Sequence, residues 1–288
     1  REKAGHIQPV AADSFQVTEH SNWFTSAVFD PLSRSLITRA GGGLVERRKV
    51  SSEGKLNALA IQSLPRGDES LAVQAIAFDP ASRLLFMLRS QGAYSGKPVP
   101  SSIVSHRVLE DGTIESNPSQ RVDFETSHWI EEATFDAIHR SIVLIDDNGN
   151  LQRWQVSAAG RVASRPRQRL SLGIGRRGPV FSPDSRFFIT VDDEGLIERR
   201  RVGDDGAIEP TPSQTVKAAD GKRLFWAGFE PSGSLITAGA DGLIERRPVS
   251  PGGRIAERHS QRIKGHGQRW IATGVILADV HSLITAGE

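Results

Sequence analysis

One unit of sequence returns along the whole chain, and a chain built that way must stack copies of a single supersecondary element. SAVFDPLSRSLITRAGGGLVERRKV at 26–50, PVFSPDSRFFITVDDEGLIERRRV at 179–202 and AGFEPSGSLITAGADGLIERRPV at 227–249 are three clear copies. IAFDPASRLLFMLRS at 76–90 and ATFDAIHRSIVLIDDNGNLQRWQV at 133–156 are more divergent, and GVILADVHSLITAGE at 274–288 is a truncated sixth. With Phe29, Phe78, Phe135, Phe181, Phe229 and Ile276 as equivalent positions, successive copies lie 49, 57, 46, 48 and 47 residues apart. That period holds about four short strands.

The turn residues argue for strands rather than helices. Each unit opens with an apolar run that ends at a Pro-x-Ser-Arg type turn around Pro31, Pro80, Pro183 or Pro231, where proline presets the backbone for a turn. A second run, such as FFITV at 187–191, ends in Gly42-Gly43, Asn148-Gly149, Glu194-Gly195 or Asp241-Gly242, dipeptides suited to tight hairpins. A third run, such as LIERRRV at 196–202, is closed by Asp111-Gly112, Asp205-Gly206 or Gly252-Gly253, and TIES (113–116), AIEP (207–210) and RIAE (254–257) read as fourth strands. The expectation is an all-β chain of four-stranded antiparallel blades forming one β-propeller over 1–288. AGHIQPVAADSFQV at 4–17 matches DGAIEPTPSQTV at 205–216, so residues 1–22 are expected to complete a blade begun by 270–288. Between them lie blades at 23–71, 72–128, 129–174, 175–222 and 223–269. This makes six blades, with seven as the alternative, in a ring closed by strands from both termini, which removes exposed sheet edges.

Composition narrows the chemistry. Hydrophobic residues at 38% and charged residues at 24% of 288 suit a packed globular core. No apolar run approaches the length of a membrane span, and the first ten residues carry no signal-peptide core. A cytoplasmic location with no membrane partner is expected, for a processed or cropped chain beginning at Arg1. The absence of cysteine excludes disulfides, thiolate nucleophiles and iron–sulfur ligation. Lysine and arginine total 36 against 34 acidic residues, a balance that does not call for nucleic acid as partner.

The unit FSPDSRFFITVDDEGLIERRRV, and above all IKGHGQRWIATGVILADVHSLITAGE at 263–288 with Gly265-His266 ahead of its first strand, resembles the WD40 repeat. The chain departs from that family in having no Trp-Asp dipeptide after the third strand. At the family's Trp position it holds Trp154 once, and Arg48, Arg200 and Arg247 elsewhere. The strand, Asp-Gly, strand cadence is also similar to the lactonase and cyclase-like bacterial propellers. The WD40 resemblance implies a non-enzymatic protein-interaction or ligand-sensing platform without a cofactor. It would be one domain of a larger bacterial-type protein or complex, its partner another protein or a fused effector domain, and the propeller itself a monomer. A lactonase- or cyclase-like hydrolase and a carbohydrate-binding propeller are the alternatives.

Residues that recur once per unit belong to the scaffold. Glu46, Glu198 and Glu245, each followed by two arginines, are therefore expected to form repeated bridges between blades. No two histidines have the spacing of a local metal site, and GIGRRG at 173–178 lacks the Lys-Ser/Thr and helix of a phosphate loop. Residues that break the repeat are better candidates for contact with a partner. Trp23, Trp129 and Trp270 sit six residues before the anchor position and Trp226 three before it, near one rim of the channel. The insertion at 91–102 offers Tyr94 and Lys97, and the segment 161–178 concentrates Arg165, Arg167, Arg169, Arg176 and Arg177. These residues make up the candidate interaction surface, since tryptophan and arginine dominate interface hot spots.

Overall fold

The computed structural model describes residues 24–64, 71–91, 98–218, 221–266, 269–278 and 282–287. Among them the regular elements are strands and two single-turn 3-10 helices, and no helix is long and apolar enough to cross a membrane. The chain divides into two compact units, one holding the described residues up to Arg176 and the other those from Arg177.

The first unit contains three antiparallel sheets. They are β1 (Phe24–Asp30), β2 (Ser35–Ala40), β3 (Val45–Lys49) and β4 (Gln62–Leu64); β5 (Ala72–Asp79), β6 (Leu84–Ser90), β7 (Val99–Arg107) and β8 (Gln120–Thr126); and β9 (Ile130–Asp136), β10 (Ser141–Asp146), β11 (Asn150–Gln155) and β12 (Gln168–Ser171). The second unit adds β13 (Arg177–Phe181), β14 (Phe187–Val191), β15 (Leu196–Arg201) and β16 (Gln214–Lys217). It continues with β17 (Leu224–Phe229), β18 (Leu235–Gly239), β19 (Leu243–Arg247) and β20 (Gln261–Lys264), and ends with the pair β21 (Ile271–Leu277) and β22 (Ser282–Gly287). Every four-stranded sheet is a meander, its strands paired in chain order. Five blades are complete, which corrects the expectation of six or seven. The sixth copy of the repeat forms only β21 and β22 among the described residues, and two strands make half a blade. Residues 1–22, expected to finish it and close a ring, lie outside the described residues.

The fourth strands also differ from expectation. TIES, AIEP and RIAE contribute only isolated bridges, Val108 to Ile114, Val202 to Ile208 and Val249 to Ile255. The outermost strands begin about six residues later, at Gln120, Gln214 and Gln261. In two of these units a proline comes after the bridge (Pro118, Pro210) and removes the N–H that a continuing ladder would need. Part of the insertion at 91–102 is also strand, since β7 starts at Val99.

Packing between sheets within each unit is apolar. Ile37, Val73, Ile76, Leu85 and Met87 fill the space between the first and second blades. Phe86, Leu88, Ile142, Leu144 and Trp154 fill that between the second and third. In the second unit Ile189, Val191, Ile197, Leu224 and Leu235 do the same for the fourth and fifth. Burial of each such side chain contributes about 1.5–3 kcal/mol.

Two polar devices repeat on top of this packing. The first lies in the Pro-x-Ser-Arg turns. Asp79, fully buried, accepts hydrogen bonds from Ala81 N and Ser82 Oγ of its own turn. It also accepts one from Arg140 Nη2 of the next blade at 2.8 Å. Asp30 is held in the same way by Ser33 and by Arg83. Arg83 and Arg140 adopt left-handed φ of 57° and 47°, a conformation costly for a non-glycine residue. The second device is a glutamine at the start of each outermost strand. The side chain of Gln62 donates to Ile114 O (2.7 Å) and accepts from Ile114 N (2.9 Å). Gln120 treats Val162 alike (3.0 and 2.8 Å), as Gln214 does Ile255 (2.8 and 2.9 Å). A side-chain amide thus satisfies both backbone groups of one residue in the next blade.

The Glu–Arg pairs are not the bridges between blades. Arg48–Glu46 (2.8 Å), Arg200–Glu198 (2.6 Å) and Arg247–Glu245 (2.6 Å) pair within one strand, because residues i and i+2 share a face of a strand. The arginine between them points the other way and does cross. Arg47 Nη1 donates to Asp111 O at 2.9 Å, and Arg199 Nη1 to Gly252 O at 3.3 Å. The hairpin that receives Arg199 needs glycine at 253, where φ is +78° and a Cβ would lie 1.9 Å from the Phe187 ring.

Candidate functional site

In the second unit the inner strands β13, β17 and β21 begin at one rim, and their first residues depart from the repeat. Pairing of β17 with β18 shifts register between Leu224 and Trp226. Such a bulge re-aims the residue it leaves unpaired, so that neighbouring Phe225 and Trp226 serve different surroundings. Trp226 packs with Ile236, Ile244, Ile271 and Ile276, over Gly228 and Gly274, where a Cβ would meet its indole at 2.5 and 3.2 Å. It is a packing wedge, not a rim contact. Phe225 instead meets Trp270, with ring centroids 5.7 Å apart and an interplanar angle of 26°. The guanidinium of Arg177 lies over the same Phe225 ring at 5.6 Å. Trp270 keeps 49% of its surface exposed.

Charges frame this stack. Asp193 lies between Arg177 Nε (3.6 Å) and Arg223 Nη2 (4.0 Å). Lys222, beside Arg223, pairs with Asp241 of the β18–β19 hairpin. Lys222 and Asp241 line a concavity of about 370 Å³ with Leu243, Arg262, Ile263 and Lys264. Stacked aromatic pairs are worth about 0.5–1.5 kcal/mol beyond burial and a cation over a ring about 0.5–2, so the three side chains hold one another in a fixed presentation.

A different polar site lies in the first unit, at the end of β2. The residue three places after the one facing the anchor phenylalanine is Leu88, Ile145, Val191 or Ala238 in four blades, and Arg39 in the first. Arg39 is 6% exposed. Its Nε donates to Val73 O at 2.8 Å, its Nη1 to Thr25 Oγ1 at 2.5 Å and its Nη2 to Gln74 Oε1 at 3.3 Å. Gln74 is itself buried and donates to Ser90 O. Burial without a charged neighbour pushes the Arg39 guanidinium down to about 10.

Of the residues singled out from sequence, the structure brings Arg177 and Trp270 together, through Phe225, a residue that sequence reasoning passed over. Trp23, Tyr94 and Lys97 lie outside the described residues. Trp129 is half-buried, and its carbonyl accepts from Asp147 N at 2.8 Å. Arg165, Arg167 and Arg169 are exposed along the outermost strand of the third blade and its lead-in, while Arg176 Nε donates to Leu172 O. Arg39, Lys222 and Arg223 were also missed. The usable signal for Phe225 and Arg39 is departure from the repeat, since the aligned positions hold Thr25, Gln74, Glu131 and Arg177 in one case and aliphatic side chains in the other. Among the described residues no cluster of three histidine or carboxylate side chains is placed to hold a metal.

No family model matches the chain, and no curated protein matches it. Solved structures do. A chain in the crystal structure of the Mitotic Checkpoint Complex is 16% identical with a TM-score of 0.62, over 91% of this chain and 71% of that one. The periplasmic gluconolactonase PpgL of Pseudomonas aeruginosa is 14% identical with a TM-score of 0.63, over 92% and 73%. A protein from Lactobacillus plantarum is 14% identical with a TM-score of 0.62, over 92% and 77%. The fold is a β-propeller. At these identities the likeness concerns this propeller's architecture alone, and membership of the WD40 family does not follow from it.

Proposed function

We propose that this propeller is a protein-interaction platform whose contact face is the rim around Arg177, Phe225 and Trp270. The observation that carries this reading is Trp270, a large aromatic left half exposed yet held rigid on Phe225. A side chain already fixed in place loses little freedom on binding, and tryptophan and arginine anchors supply most of the energy at interfaces. The scaffold does not need an exposed indole there, whereas it does need Trp226. The Mitotic Checkpoint Complex neighbour is a propeller within an assembly, in keeping with this use of the fold.

The test begins with affinity capture by the full chain and by Trp270→Ala, followed by calorimetry with the purified partner. The expected result is a partner whose affinity falls at least thirtyfold in Trp270→Ala, the size of a hot-spot loss of about 2 kcal/mol. Capture that is indifferent to Trp270 and Arg177 refutes the assignment of this face. The gluconolactonase neighbour motivates a parallel assay of lactone hydrolysis with and without divalent metal, and metal-dependent turnover would replace the platform reading with a hydrolase.

A further inference from the structure

Buried cations are normally paired with a carboxylate, because taking an ion out of water costs several kcal/mol. Arg39 departs from that rule. Its three hydrogen bonds go to a backbone carbonyl, a hydroxyl and an amide oxygen, all neutral. No carboxylate among the described residues lies within ion-pair distance of it. A guanidinium has five N–H donors, so two remain without a protein acceptor. The other four complete blades put an aliphatic side chain at the same place, so the blade architecture does not require a cation. Arg39 is held by Gln74 and Val73 of the second blade and by half-buried Thr25, next to the start of β1. A guanidinium fixed on three sides, with positive charge left over, is a preorganised acceptor for an anion.

We infer that Arg39, with Thr25 and Gln74 orienting it, forms a binding site for a carboxylate at the rim between the first two blades. A planar carboxylate matches the fork geometry of the guanidinium and supplies the negative charge that the protein does not. The Thr25 hydroxyl, already accepting from Nη1, has its own proton to donate to the second ligand oxygen. This site is separate from the aromatic rim of the second unit and does not depend on the function proposed for it. The carboxylate comes either from a free small molecule or from an acidic side chain of another protein.

The experiment is thermal unfolding of the full chain in Tris chloride, titrated with acetate, succinate, the blocked peptide acetyl-Gly-Glu-Gly-amide, sulfate or sodium chloride at matched ionic strength. The expected result is a saturable rise with one or more carboxylate arms, about 5 °C or more at a hundredfold excess over Kd. Neither sulfate nor chloride should match it. A response to acetate or succinate points to a free ligand, and one confined to the peptide to a partner's side chain. Arg39→Leu, which installs the second blade's residue, should lose the response at whatever melting temperature it has in chloride alone, since it also leaves Val73 O and Gln74 Oε1 without their donor. A purely structural clamp predicts instead that the wild type is indifferent to carboxylates. Should Arg39→Leu fail to fold, the Arg39 15Nε resonance of the wild-type protein gives the answer, since it must shift on carboxylate titration. No shift, equal responses in both proteins or a response to sulfate alone overturns the inference.

Discussion

Gln214 tests the idea that blades are held together by side chains imitating a neighbouring strand. Its amide donates to Ile255 O at 2.8 Å and accepts from Ile255 N at 2.9 Å, and Ile255 is 1% exposed. Gln214→Ala removes two hydrogen bonds, each worth about 1 kcal/mol net, and strands two buried backbone groups at about 1–3 kcal/mol each. With partial rehydration at the blade's outer edge, the expected cost is about 2–4 kcal/mol. Urea unfolding followed by tryptophan fluorescence measures it, and amide exchange at Ile255 localises it, because protection there should fall more than in β14 or β18. A change below about 0.5 kcal/mol with Ile255 still protected would sink the argument. Gln214→Glu gives a sharper version. A protonated carboxyl can donate and accept as the amide does, whereas a carboxylate can only accept and faces the Ile255 carbonyl. The folded-state pKa of that glutamate is therefore raised above its unfolded value of about 4.3. The variant should lie closest to the wild type below that pH and lose ground as pH rises. A deficit independent of pH would show that shape, not the donated proton, is what matters.

Other consequences of the same packing can be checked together. Arg247→Ala leaves the buried Glu245 carboxylate without its 2.6 Å partner and should cost about 3–5 kcal/mol in urea unfolding. Adding Glu245→Gln should recover part of that loss, since the third blade holds Gln152 and Trp154 at these positions. Arg140→Met removes the cross-blade bond to Asp79 and should lower stability by about 2–3 kcal/mol, more than the same change at exposed Arg165. Burial lowers the pKa of His106, with Glu115 O on Nδ1 opposing and Arg89 assisting, and burial lowers that of His266. Groups whose folded pKa is depressed bind protons preferentially in the unfolded chain, so stability should fall as pH drops below about 6.5. The fall should be smaller in His106→Gln, as measured by melting temperatures between pH 8 and 5.

The legibility of the fold in the sequence depends on which features repeat. The hydrophobic runs and the Gly-containing hairpins recur with the blade, so strand count per unit and antiparallel order are legible. The outermost strands are not, because the bridge residues at Ile114, Ile208 and Ile255 carry the same apolar signature as a strand and differ only in their C-terminal neighbours. The glutamine clamps were equally available, at Gln62, Gln120 and Gln214. Glutamine, though, is a common surface residue, and only the hydrogen bonds to Ile114, Val162 and Ile255 of the next blade show what these side chains hold. The Glu–Arg repeat misled for a related reason. A charge returning once per blade implies a structural role, yet strand periodicity, not blade spacing, decides its partner, and at i and i+2 that partner lies on the same strand.

Sites are read from the complement of this pattern. When five copies of a fold element coexist in one chain, the other copies act as internal controls and show which side chain the architecture requires at a position. Trp226 passes as structure because two glycines make room for it, and Arg200 passes because Arg48 and Arg247 repeat it. Arg39 and Phe225 have no such counterparts, and each carries an unresolved physical cost, an unpaired buried charge in one case and a rigid aromatic stack facing solvent in the other. A cost that the scaffold avoids elsewhere persists only where something offsets it. Replacing each arginine by leucine therefore separates the two kinds of position: Arg200→Leu leaves the buried Glu198 carboxylate without its 2.6 Å partner and should weaken the fold with no effect on ligand response, whereas Arg39→Leu should abolish the response to a carboxylate.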